Sequence, residues 1–252
     1  MKALVFPAGI SPAPGSPRDR LIVALDFARA ESALSLVDQL EGTCRWFKVG
    51  LELYLAEGNS FIAELRRRSL SVFLDLKLHD IPNTVESAVE SARRLGVAML
   101  TVHAAGGPAM LEGAARAAGQ DADSPLLLAV TVLTSMDAAQ LTSTGVDAPP
   151  AEQVERLAKM AIACGIPGLV TAVQEVARLR SELGSQVVLV TPGIRPLGGE
   201  AGDQKRVATP GAAIASGASY LVVGRPITRA PNPAAAVQAI LQEMESKLKP
   251  VA

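Results

Sequence analysis

The chain has 252 residues, 49% hydrophobic and 19% charged, enough for one large core. Its 24 Lys and Arg against 25 Asp and Glu leave a formal net charge of -1, spread along the chain, and aromatics make up only 3%. That balance speaks against a general nucleic-acid surface or a base-stacking platform, and no apolar run approaches the roughly 20 residues that span a bilayer.

The chain opens with a short apolar piece, Ala3 to Phe6, and the prolines Pro7, Pro12, Pro14 and Pro17. The piece is too short for a secretory core and no convincing cleavage site follows. The sequence therefore predicts a flexible N-terminal tail over 1–19 and one catalytic domain over 20–252. From there short apolar runs alternate with amphipathic stretches. The run 21–25 precedes a helical pattern at 30–40, 46–49 precedes 61–68, 72–76 precedes 85–95, and 99–102 precedes 108–118. In the second half 126–133 precedes 150–163, 168–173 precedes 173–183, 187–190 precedes 210–216, and 220–223 precedes 233–248. The runs are continuous and rich in branched residues, as strands buried on both faces of a parallel sheet are. A strand-then-helix unit repeated this way predicts an α/β fold, a single-domain (β/α)8 TIM barrel. A doubly wound open sheet is the alternative, but no GxGxxG follows the first strand.

Barrel enzymes work at the C-terminal ends of their strands. The residues found there are Asp26, Lys48, Asp75 with Lys77 and Asp80, His103, Thr134, Arg195 and Arg225. Lys48 sits inside an apolar strand, where an ammonium needs carboxylate partners. Asp75 and Lys77 are two apart and so are expected on one face, with Asp80 beyond in the loop. Ammonium and carboxylate groups so mixed favour one another's charged forms. Such a set suits a developing carbanion and its protonation, while a salt-bridged strand end is the plainer alternative. His79 and His103 read as hydrogen-bonded, non-catalytic residues; no GxSxG elbow or HExxH suggests a triad or a metal. Cys44 and Cys164, without a CxxC, read as two buried thiols of a cytoplasmic protein.

The last two strand ends, Thr191-Pro192-Gly193-Ile194-Arg195-Pro196 and Gly224-Arg225-Pro226-Ile227, fit the usual phosphate position of this fold. The polar stretch 193–210, with Gly193, Gly198, Gly199 and Gly202, has the composition of a lid.

The segment Phe73-Leu74-Asp75-Leu76-Lys77-Leu78-His79-Asp80-Ile81-Pro82-Asn83-Thr84-Val85 resembles the orotidine 5'-phosphate decarboxylase family. So do Leu25-Asp26, Phe47-Lys48-Val49-Gly50, Thr101-Val102-His103-Ala104, Leu133-Thr134-Ser135, Thr191 to Arg195, and Val223 to Ile227, in family order from about Arg20 to Lys247. The resemblance implies catalytic roles for Lys77, Asp75, Lys48 and Asp80, with Lys77 protonating C6 of the pyrimidine. It implies that Lys48 and Asp26 contact the ribose, that Thr134 meets the pyrimidine edge, and that Arg195, Gln204, Gly224 and Arg225 form the phosphate end. It further implies a homodimer in which Asp80 and Thr84 reach the partner's site, with no cofactor and no metal. Two rivals stay open: a metal-dependent sugar-phosphate decarboxylase or aldolase of the same barrel, for which Glu52 is the obvious extra acidic ligand, and a non-catalytic barrel that binds a phosphorylated ligand.

Overall fold

In the computed structural model, which describes residues 6–7, 10–121, 123–196 and 207–248, the apolar runs are eight strands. They are β1 Leu21–Ala24, β2 Trp46–Gly50, β3 Ser71–Leu78, β4 Met99–His103, β5 Leu126–Val130, β6 Gly168–Val170, β7 Val188–Thr191 and β8 Tyr220–Val223. Each pairs in parallel with the next, and β8 pairs with β1, so the sheet closes into a barrel. The helices are α1 Pro17–Arg20, α2 Ala30–Gln39, α3 Leu51–Arg67, α4 Pro82–Arg94, α5 Gly107–Ala118, α6 Ala138–Ser143, α7 Pro150–Ala163, α8 Val173–Leu183, α9 Pro210–Ala215, α10 Arg225–Thr228 and α11 Pro233–Glu245. Among the described residues no helix is long and apolar enough to cross a membrane.

Period-two alternation on each strand divides the core into two layers. Ile22, Trp46, Phe73, Met99, Leu128, Val190 and Val222 form one cluster, filling the barrel. Their strand neighbours Val23, Phe47, Leu74, Leu100 and Leu189 belong to a second, packed with Leu36, Ile62, Val89 and Leu111 of the surrounding helices. The parity matters for the site. On β1, β2 and β3 the inward positions read Ile22, Ala24 and then Asp26; Trp46 and then Lys48; Phe73 and then Asp75. An apolar plug thus gives way, one inward position later, to charge.

Four expectations change. The tail expected over 1–19 is tied down from Ile10 onward. Ile10 is buried in the barrel-filling cluster. The Ser11 amide donates to Tyr220 Oη at 3.2 Å, Ser219 Oγ donates to the Pro12 carbonyl at 2.6 Å, and Arg20 Nε donates to the Pro14 carbonyl at 2.8 Å. Prolines that read as disorder instead leave carbonyls for the barrel floor to bond. Second, α3 begins at Leu51, well before 61, as two helical segments meeting at Gly58, whose φ is 65°. Its first half hides from a periodicity search because Leu51 and Leu55 are 51% and 79% exposed. Third, β5 stops at Val130, short of 133; the chain turns, with the Met136 amide donating to the Leu133 carbonyl, and Asp137 opens α6 through a capping box with Gln140. Fourth, only one thiol is buried. Burial pushes the Cys44 thiol up to about 12 against a small opposing pull from Arg18, whereas Cys164 is half-buried.

Candidate active site

The C-terminal ends of the strands surround a cavity of about 490 Å³, the size of a small-ligand site. Its wall includes Asp26, Lys48, Asp75, Lys77, Thr134, Arg195, Gly224 and Arg225, drawn from the ends of six different strands. The six strand ends come from separate stretches of sequence, and closure of the barrel brings them together.

On one side the charges form a chain. Lys48 Nζ lies 2.9 Å from Asp26 Oδ1 and 3.7 Å from Asp75 Oδ2, and Lys77 Nζ lies 2.8 Å from Asp75 Oδ1. The Lys48 and Asp75 side chains are only 11% and 13% exposed, so water screens this alternation poorly. Gly50 leaves the room it needs. A Cβ there would lie 2.9 Å from Lys48 Nζ and 3.6 Å from Asp26 Oδ1, so any side chain would displace the ammonium.

Asp75 and Lys77 do share a face, though not by plain alternation. The β3–β4 register runs Leu74 to Leu100 and then Leu78 to Val102, so Asp75, Leu76 and Lys77 bulge opposite Thr101 alone. Lys77 sits at the tip with φ 52°, a left-handed conformation that costs a residue with a side chain about 1–2 kcal/mol. The Lys77 amide donates to Thr101 Oγ1 at 2.8 Å, and that hydroxyl is 3.1 Å from Asp75 Oδ1. Sequence reasoning missed Thr101 as a site residue; a threonine two positions before the strand end carried no signal by itself.

Asp80 does not join the chain of charges within one subunit. It is exposed, and its Oδ1 accepts from the Ile81 amide at 2.6 Å. Thr84 is exposed on the first turn of α4, away from the cavity wall. His79 and His103 stack with ring centroids 5.3 Å apart. His103 was expected to be hydrogen-bonded, yet its Nδ1 is buried with no hydrogen-bond partner. Burial, then the neighbouring His79 and Lys77 charges, push the His103 pKa below the usual histidine value.

Across the cavity, Arg195 is buried, and its Nη1 donates to the Ile194 carbonyl at 2.8 Å. Its amide donates to the Ala208 carbonyl at 2.9 Å beside an Ile194–Ala208 bridge, which ties together the two ends of the stretch expected to form a lid. Residues 197–206, and with them Gln204, lie outside the described residues. Gly224 and Arg225 follow β8; a Cβ at Gly224 would rest 3.5 Å from Ala24 Cβ and Asp26 Oδ2. The wall also carries Ser135 and Arg229, which sequence reasoning did not single out for a role, and Glu52, weighed there only as a metal ligand. Among the described residues no group of three or more His, Cys, Asp or Glu comes together to hold a metal ion.

Comparison with known proteins bears on what such a mouth does. The model of the orotidine 5'-phosphate decarboxylase / HUMPS family matches residues 19–240. The orotidine 5'-phosphate decarboxylase of Actinobacillus succinogenes is 52% identical over 224 residues, 88% of this chain and 96% of the relative. That of Opitutus terrae is 50% identical over 226 residues, covering 90% and 98%. The crystal structure of orotidine 5'-phosphate decarboxylase from Lactobacillus acidophilus superposes with a TM-score of 0.80 at 39% identity, covering 89% of this chain and 98% of that one.

Proposed function

The chain belongs to the orotidine 5'-phosphate decarboxylase / HUMPS family, and from that premise we propose that its barrel mouth decarboxylates orotidine 5'-phosphate to UMP with no group other than its own side chains. The observation that carries this reading is the chain of charges ending in Lys77, whose ammonium is 2.8 Å from Asp75 Oδ1 at the cavity wall. The substrate's carboxylate lies beside Asp75. The bond from C6 to the carboxylate breaks, carbon dioxide leaves, and the electron pair stays on C6. Lys77 Nζ then gives C6 a proton and is reprotonated from solvent. The carbanion at C6 is poorly delocalised, so the protein must supply charge already in place. Asp26 and Lys48 hold the ribose hydroxyls, Thr134 the pyrimidine edge, and Arg195, Gln204, Gly224 and Arg225 the phosphate. Phosphate binding is remote from the bond that breaks, so its energy can position the reacting end.

The test is direct. Added to orotidine 5'-phosphate in excess EDTA, the protein is expected to remove orotidylate absorbance and release UMP. No absorbance loss would leave a binding barrel; loss that EDTA abolishes would leave the metal-dependent rival.

The working unit in this reading is a homodimer in the cytoplasm, where fractionation should find it, with Asp80 and Thr84 completing the partner's site. Among the described residues the large hydrophobic side chains left exposed are Leu51, Leu55 and Ile81, at 51%, 79% and 67%. They follow β2 and β3 at the cavity end of the barrel, with Ile81 next to Asp80 in the chain, which suits an isologous contact there. Sedimentation is expected to give a dimer that Leu55→Lys dissociates with loss of activity. A monomer that is fully active at the assay concentration would remove the partner's role.

A further inference from the structure

We propose that Thr101 is a positioning residue for the reaction, acting through its hydroxyl on both Asp75 and Lys77. The inference rests on the proposed roles of that pair. Thr101 is the one β4 residue opposite the bulge Asp75–Lys77. The bulge takes the half-buried Lys77 amide out of the strand ladder, so it needs another acceptor. Thr101 Oγ1 supplies it at 2.8 Å. A carboxylate can only accept, so the threonine hydrogen points the other way, to Asp75 Oδ1 at 3.1 Å. That same oxygen accepts from Lys77 Nζ at 2.8 Å. The result is a closed ring: Lys77 amide to Thr101 hydroxyl, hydroxyl to Asp75, ammonium to Asp75. Thr101 is 0% exposed, so water cannot stand in for the hydroxyl.

The ring does two things. It holds Lys77 at φ 52°, the conformation that aims the ammonium back over its own strand toward Asp75. It also fixes the rotation of the Asp75 carboxylate, so that Oδ1 serves Lys77 while Oδ2 stays 3.7 Å from Lys48. A proton donor and its electrostatic frame are thereby set at one distance before substrate arrives. Removing the hydroxyl strands the Lys77 amide and frees the carboxylate to turn, and misplacement of a reacting group by about 1 Å costs on the order of 10²-fold in rate.

The experiment compares wild type, Thr101→Val and Thr101→Ser as full chains. Valine keeps the shape and loses the hydroxyl; serine keeps the hydroxyl. Thr101→Val is expected to lose about 10²-fold in kcat, the cost of a misplaced reacting group. KM and the UMP inhibition constant should stay within about threefold, because the groups that grip ribose and phosphate are untouched. UMP should still bind one per chain, which counts intact sites and separates this effect from partial unfolding. Thr101→Ser should recover most of the lost kcat. A Thr101→Val kcat within about threefold of wild type, or a Thr101→Ser loss as deep as that of valine, overturns the proposal. If the valine variant does not fold, Thr101→Ser against Thr101→Ala carries the same comparison. Failure of the wild type to turn over would instead strike the reading of the site itself.

Discussion

Lys77→Ala is expected to fold, to bind UMP, and to decarboxylate orotidine 5'-phosphate at least about 10⁴-fold more slowly than wild type, since proton transfer by a placed group contributes 10²–10⁴ and fixed charge 10²–10³. Folding should survive because the Lys77 side chain is 34% exposed at the barrel mouth, so its truncation opens no core cavity. Asp75 would also keep Lys48 at 3.7 Å and the Thr101 hydroxyl at 3.1 Å as partners, so its carboxylate would not be buried bare. UMP carries no carboxylate at C6, so its affinity should fall much less than kcat. Steady-state kinetics and UMP inhibition on one preparation decide the matter; near-normal turnover would remove Lys77 as the proton donor.

The barrel was legible in the sequence because its signal is made of many weak parts that agree. Each apolar run alone could be a buried helix turn, but continuous runs spaced by amphipathic stretches admit few architectures. The inward parity that places Lys48 and Asp75 above Trp46 and Phe73 was not legible, because strands buried on both faces carry no polar alternation. What the sequence hid depends on contacts between strands. The spacing of Asp75 and Lys77 predicted a shared face from two-residue alternation, and the two groups do meet. They meet through a bulge, and a bulge is a mismatch of register between β3 and β4 that neither strand reveals alone. Thr101 and Gly50 were missed on the same account. Thr101 looks like any strand threonine until Lys77 turns to φ 52° above it, and Gly50 matters because Lys48 Nζ occupies the space its Cβ would fill. Asp80 was grouped with Asp75 and Lys77 by proximity in sequence, yet within one chain it turns back to the Ile81 amide. In the proposed homodimer its role would be played in the partner's site. The segment 10–19 misled through composition: proline and serine usually mark loose chain, but here they lie across a floor of Tyr220 and Ser219 that comes from the far end of the sequence.

Arg225→Ala carries the second large effect, on the proposed reading that Arg225 grips the phosphate, remote from the bond that breaks. Arg225 lies two residues past the end of β8 and opens α10, outside the strands whose pairing closes the barrel. Its partner in the phosphate assignment, Arg195, is a poorer probe. Arg195 is 9% exposed and bonds the carbonyl of Ile194, so its truncation would disturb structure and binding together. A guanidinium meets a phosphate through paired charge-assisted bonds of about 1.5–3 kcal/mol each. Losing both would lower kcat/KM by roughly 10²- to 10⁴-fold at about 1.4 kcal/mol per decade. Because that energy comes from a group remote from C6, part of the loss should appear in kcat and not only in KM. Orotidine, the same substrate without its phosphate, supplies the control. The wild type should prefer orotidine 5'-phosphate over orotidine by a large factor, and Arg225→Ala should shrink that preference by as much as it lowers kcat/KM, with little change in thermal unfolding. Unchanged kinetics on orotidine 5'-phosphate, or an equal loss on both substrates, would move the phosphate away from the β8 end and with it the direction in which the nucleotide lies across the barrel.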